Sequence, residues 1–252
     1  LLQSPLFAPN WRAPWLAPYC EAGQRVQARC AAGVSVAQAL NEELRRLPIE
    51  LSTGGLHFVS QQALPPGEAY EAFVARTGSV PTRDNAHDFF NGLVWLRQPL
   101  LKARLNAWHG QGLEGGGEGR RGALRDALTL LDENGALLQA PPALAQALVA
   151  RDWPRLFIEL RPLWQHARLE LVGHALLEKL LQPRKPICAH VLLVESLEAA
   201  AAALDVDELA AKPFHPLPVL GVPGWWAGNA EADFYADEHV FRPRRSRLQQ
   251  TG

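Results

Sequence analysis

The sequence predicts an α+β fold, one predominantly helical domain with a small sheet and a long irregular C-terminal segment. Three observations predict it. Apolar residues recur at helical spacing in a succession of stretches up to Ala211. LTLLDENGALLQ carries Asn134-Gly135, the favoured pair of a two-residue type I′ turn, and predicts a β-hairpin near 126–139. Ile187 to Val194 is a near-continuous apolar run of the length that buried strands have. With 48% apolar and 20% charged residues over 252 positions, the chain can build a core. That length is near the upper end of what one core supports, so a single domain over 1–252 is expected.

In order, residues 1–20 hold four prolines and two Trp and predict an irregular N-terminal arm that packs by its aromatics. Ser35 to Leu47 repeats Val36, Leu40, Leu44 and Leu47 at helical spacing, and Pro48 ends it. His57 to Gln61 suits a short strand. Glu68 to Arg76 suits a helix with Gly78 as its C-terminal stop. Pro81 to Gly110 predicts two helices broken at Pro99, followed by a glycine-rich loop from His109 to Gly122. Further helices are expected at Pro142–Ala150, Pro154–Trp164, Val172–Leu181 and Ser196–Ala211. Residues 213–252 are expected to wrap the surface as extended coil.

Composition narrows the function classes. A net charge of −1 gives no long-range pull toward nucleic acid or an anionic membrane. No segment approaches the roughly 18 uninterrupted apolar residues of a membrane helix, and LLQSPLFAPNWRAPW lacks the layout of a signal peptide, so a cytoplasmic location is expected. Cys20, Cys30 and Cys188 form neither a disulfide framework nor a zinc-ribbon spacing. The chain has no GxSxG elbow, no GxGxxG after a strand, no Walker loop, no HExxH, no EF-hand loop and no catalytic-cysteine signature. No nucleotide or redox cofactor is therefore expected, while a divalent metal stays open.

The densest chemistry lies at 84–109. On a helix, Asp84, His87, Asp88, Asn91, Gly92, Trp95 and Gln98 share one side, opposite Phe89, Phe90, Leu93, Val94 and Leu96. Thr82 or Asp84 is placed to cap it. On the next helix Lys102, Asn106 and His109 share a stripe. Asp, His, Asn and Gly are poor helix formers, so crowding them here is a local conflict of the kind that marks sites. Two further clusters can join. Arg120, Arg121, Arg125, Asp126, Thr129 and Asp132-Glu133 follow the glycine-rich loop, with Asp126 and Asp132 on one face if that stretch is a strand. His174 and Glu178, four apart, suit one helix face as metal ligands or as a base and its orienter.

PTRDNAHDFFNGLVWL, LNAWH, RDALTLLDENG, GHALLEKL and PLPVLGVPGWW…FYADEHVFRP, in that order, resemble a bacterial family, domain of unknown function 3025. The resemblance runs from about residue 20 to residue 245, with departures such as Ala86 and Arg97 that leave the polar positions in place. It implies a soluble, stand-alone bacterial domain and brings no activity or fold with it.

Two functions fit these residues. In an enzyme of hydrolase or polar-transfer type, metal-assisted or not, the catalytic set is Asp84, His87, Asp88, Asn91 and His109, joined by His174 and Glu178. Arg83, Lys102 and Arg125 then hold a small anionic ligand. In a non-catalytic ligand- or protein-binding module the same side chains form a structural polar network, with Trp225 and Trp226 as anchors. Convergence of His87, His109, His174 and Arg125 on one cavity separates the two.

Overall fold

The computed structural model describes residues 8–46, 48–52, 54–110 and 118–244. The first half holds α1 (Cys20–Ala31), α2 (Val36–Leu44), β1 (Glu50–Leu51), β2 (Gly54–Gly55), β3 (His57–Ser60), α3 (Tyr70–Thr77) and β4 (Ser79–Thr82). The middle holds α4 (Ala86–Arg97), α5 (Pro99–Gly110), α6 (Glu118–Asn134), β5 (Gly135–Gln139) and α7 (Pro142–Ala150). Then come β6 (Arg168–Leu171), α8 (His174–Lys179), β7 (Cys188–Leu193), α9 (Ala200–Ala203), α10 (Val206–Ala210) and β8 (His215–Pro218). The fold is mixed α+β and mainly helical, as the periodicity predicts. No helix of the described residues is long and apolar enough to cross a membrane.

Helix α4 is the axis of the core. Every residue from Asp88 to Trp95 is buried, so over these two turns the helix has no solvent face. Its apolar side packs into the cluster containing Phe89, Phe90, Leu93 and Val94, and burial of each such side chain contributes about 1.5–3 kcal/mol. Gly92 lets α2 approach: a Cβ there would stand 2.2 Å from Leu40 Cδ1. The helix starts at Asn85, whose side chain accepts from Asp88 N at 2.7 Å. Asn85 is thus the cap, in place of Thr82 or Asp84. Asp84 instead accepts from Val36 N at 2.8 Å and secures the start of α2.

Strands β3 and β4 pair in parallel through α3, a small βαβ unit. The main sheet runs β6-β5-β7-β8, with β5 antiparallel to β6 and parallel to β7, and β7 antiparallel to β8. The first four residues of β5 are all buried, which is why its sequence is continuously apolar.

The hairpin expected near 126–139 is absent. Leu124, Ala127, Leu128 and Leu131 are buried at helical spacing on α6, and the helix runs to Asn134. Asn134-Gly135 is the junction of helix and strand. The turn signal of two residues lost to a helical pattern spanning seventeen. The N-terminal arm is not irregular throughout: a 3-10 helix spans Pro14–Tyr19, burying Trp15 and Tyr19, and leads directly into α1. Helix α1 escapes hydrophobic periodicity because its buried stripe is Gly23, Val26 and Cys30. Residues 154–164 form a π-turn and a 3-10 turn rather than one helix, with Pro162 between. Residues 196–211 split into α9 and α10, where Asp205 caps the second. The C-terminal stretch is not all coil, since β8 closes the sheet before a run of 3-10 turns. Most of the glycine-rich loop, and residues 245–252, lie outside the described residues. The three cysteines are free thiols.

One junction positions the second half of the site. Gly135 O accepts from Val172 N at 3.0 Å and Gly173 N at 2.9 Å. A Cβ on Gly173 would stand 2.5 Å from Gly135 N and 2.6 Å from Asn134 Cα, both backbone atoms that cannot swing away. We expect Gly173→Ala to lower the unfolding free energy by roughly 1–3 kcal/mol, the range of overpacking. Urea denaturation checks it, and a change within ~0.5 kcal/mol, as for an uneventful surface substitution, contradicts the close approach.

Candidate functional site

Five elements converge on one cavity of about 200 Å³. Helix α3 opens it with Tyr70 and Glu71, and α4 adds His87, Asp88 and Asn91. The end of α6 brings Asp132 and Glu133, and α8 brings His174. Pro81 and Arg83, at and just beyond the end of β4, and Gln61, just beyond β3, complete the wall. A smaller cavity of about 110 Å³ adjoins it and shares Tyr70, Glu71, Asp132 and Glu133. Its own walls are Trp95, the α5 stripe Lys102, Asn106 and His109, and Thr129 of α6.

At the centre two imidazoles meet edge to face, their ring centres 4.4 Å apart. His87 Nε2 lies 3.0 Å from His174 Nε2. On its far side His87 Nδ1 stands 3.0 Å from Glu178 Oε2. A carboxylate only accepts, so this bond places the His87 proton on Nδ1 and leaves Nε2 a bare lone pair. His174 Nδ1 faces Asp132 Oδ2 at 3.7 Å, and its Nε2 faces Glu133 Oε1 at 3.6 Å.

His174 therefore has two neutral states. With its proton on Nε2 it donates to His87, and its bare Nδ1 then faces a carboxylate. With the proton on Nδ1 it faces Asp132 favourably, and two lone pairs confront each other across 3.0 Å. That second state is complete only with a cation between the rings. Donor atoms of His87, His174 and Glu133 all lie within 4.8 Å of one another. Two nitrogens each about 2.0–2.1 Å from a zinc ion stand roughly 2.9–3.4 Å apart, so the imidazole spacing already fits ligation.

Burial sets the charge states. His174 is 4% exposed, and desolvation, then Lys102, pushes its pKa down to about 3. Burial also lowers His109, against the pull of Glu71 and Asp132. Burial raises the Glu133 carboxyl, partly offset by His87. Asp132 is pushed up by burial too, but Lys102 and His174 outweigh this and hold it below the usual range. The Tyr70 hydroxyl is held protonated by desolvation.

Of the residues singled out in the sequence, His87, Asp88, Asn91, His174 and Arg83 line the larger cavity, and Lys102 and His109 the smaller. Glu178 acts from behind His87. Asp88 is committed: it accepts from Arg83 N at 2.6 Å, Nε at 3.0 Å and Nη2 at 3.0 Å. Lys102 is paired with Asp132. Asp84 lies outside both cavities on the α2 cap, and Arg125 is exposed on α6. Gly92 and Gln98 serve packing and a bond to Glu170 Oε1. Tyr70 and Glu71 carry no signal in the sequence, while Asp132 and Glu133 stand there only as part of the cluster that follows the glycine-rich loop. A helical reading of 122–134 would have set Thr129, Asp132 and Glu133 off the Leu124, Leu128 and Leu131 face.

The depressed His174 pKa has a consequence for stability. An unfolded-chain His titrates near 6.5, so below that pH the unfolded state takes a proton that folded His174 refuses. Stability is full above about pH 6.5 and falls toward pH 3, by up to ~1.4 kcal/mol per unit. In chelator-treated protein, urea unfolding at pH 7 and pH 5 should show wild type losing roughly 1–2 kcal/mol more than His174→Gln. Equal losses in the two proteins show that His174 titrates as an ordinary histidine.

No curated protein and no solved structure matches the chain. Residues 56–245, from just before β3 to beyond β8 and so including every residue of both cavities, match a single family description. The chain belongs to the family described as protein of unknown function (DUF3025).

Proposed function

We propose that the protein is a metal-dependent enzyme of the hydrolytic or polar-transfer class, with one divalent ion between His87, His174 and Glu133. One observation carries this: two imidazole Nε2 atoms 3.0 Å apart, open to a cavity, with a carboxylate bonded to His87 Nδ1 at 3.0 Å and another standing 3.7 Å from His174 Nδ1. Carboxylates behind metal-binding histidines fix the tautomer and raise ligand basicity. A three-residue set leaves positions for water and substrate, as catalytic sites do and closed structural sites do not. A divalent ion there lowers the pKa of bound water and supplies a nucleophile near neutral pH. The chain's own groups complete the chemistry. Glu133 would complete the ligand set from the end of α6. His109, its pKa lowered by burial, would offer a proton acceptor in the adjoining cavity.

The metal content of protein equilibrated with zinc, manganese or iron(II), measured by elemental mass spectrometry, tests this. Wild type should hold about one ion per chain. His87→Ala and His174→Ala should lose it with the circular dichroism spectrum kept. Glu178→Gln should weaken affinity by roughly 10–100-fold, as the loss of a supporting carboxylate does. Wild type without metal, or His87→Ala with as much metal as wild type, would falsify the proposal.

A further inference from the structure

We infer, building on the reactive centre proposed above, that the substrate carries a positively charged nitrogen, an ammonium or guanidinium, seated beside Glu71. The first ground is charge. The cations Arg83 and Lys102 on the cavity walls are each taken up, by Asp88 and Asp132. Glu71 has no hydrogen bond or ion pair to its carboxylate among the described residues, and it lines both cavities. Glu133 stands 3.6 Å from His174 Nε2, and no Lys or Arg forms an ion pair with it among the described residues. Glu178 adds a third carboxylate at the edge of the site. A divalent ion offsets two of these three negative charges and leaves the site still negative, so an anionic substrate is repelled and a cation is drawn in.

The second ground is hydrogen bonding. Asn91 is 8% exposed and lines the histidine cavity; its Nδ2 donates to Tyr70 Oη at 3.2 Å. Its Oδ1 is buried without a hydrogen-bond partner. A buried acceptor left open costs free energy that an incoming N–H removes. The wall is also chemically suited to cations, because Lys102 Nζ already sits 5.6 Å from the centre of the Trp95 ring. An open acceptor, an unpaired carboxylate and an aromatic wall recognise a nitrogen cation. With Arg83 and Lys102 both paired, the described lining residues keep no free Lys or Arg for phosphate or carboxylate.

The probes are n-butylammonium, n-butyrate and n-butanol, equal in length and different in charge. Each is titrated into wild type and Glu71→Gln at pH 7 by isothermal calorimetry, with bound metal measured in the same samples. Wild type should bind n-butylammonium in preference to the other two. Glu71→Gln should bind it at least about tenfold more weakly while keeping the metal, a loss on the scale of one ion pair. Butyrate binding as well as butylammonium overturns the inference, as does ammonium binding that Glu71→Gln leaves unchanged. Metal without ammonium preference leaves the metal centre standing and removes the substrate class. Ammonium bound through Glu71 in metal-free wild type does the reverse.

Discussion

The site depends on the contact between two glycine backbones. Gly135 ends the reach of α6, and Gly173 opens α8. The Gly135 carbonyl takes both Val172 N–H and Gly173 N–H. No side chain fits between them. Because β5 and β6 are antiparallel with Ala136 opposite Leu171, the residues just before β5 and just after β6 must emerge side by side. Those residues are Asp132 and Glu133 on one chain and His174 on the other. Sheet register, fixed by burial of the apolar β5, therefore sets the distances among carboxylates and imidazole.

The other half of the centre comes from α4, and its position follows from a different constraint. A helix buried on all sides must satisfy its polar side chains within the protein. Asp88 does so through Arg83, Asn85 through the helix start, and Gln98 through Glu170. His87 and Asn91, four residues apart on one side, line the cavity beside Asp88. The helix can then hold His87 against His174 with little freedom, because Phe89, Phe90 and Val94 on its other side are locked in the core. Rigid support of this kind is what a ligating or catalytic pair requires.

Local pattern made the first half of this legible. Pro99 broke α4 from α5, helical spacing grouped His87 with Asn91 and Lys102 with His109, and the i,i+4 pair of His174 and Glu178 stood out by itself. The meeting of His87 with His174 is not legible in the sequence, because it is made by the packing of α4 against α8, segments 87 residues apart. Asp132 and Glu133 were visible as residues but were assigned to a strand. Asn134-Gly135 is the best short-range signal of a hairpin, yet the four buried positions of α6 bury far more apolar surface than a turn can secure. Arg83 and Lys102 stand out in the sequence as cations for a small anionic ligand. Their partners Asp88 and Asp132 decide what they can bind, and for Lys102 that partner lies thirty residues away.

A structural polar network and a binding site differ in how completely their bonds close. Elsewhere among the described residues, buried polar groups outside the two cavities mostly find partners. Asn41 both donates to Phe58 O and accepts from Phe58 N, Asn229 donates to Leu220 O and Val222 O, and Tyr19 Oη donates to Leu171 O. Five buried side-chain atoms among the described residues have no partner: Trp15 Nε1, Gln139 Oε1, Asn91 Oδ1, Trp95 Nε1 and His174 Nδ1. The last three belong to residues lining the two adjoining cavities. Each open group costs about 1–3 kcal/mol, and apolar residues of similar size would remove that cost. Leaving three such groups open beside two facing imidazoles and an unpaired Glu71 stabilises nothing in the free protein. Asn91 Oδ1 and the Glu71 carboxylate gain a partner when a positively charged N–H donor enters, whereas Trp95 Nε1–H, a donor itself, takes an acceptor on the same molecule.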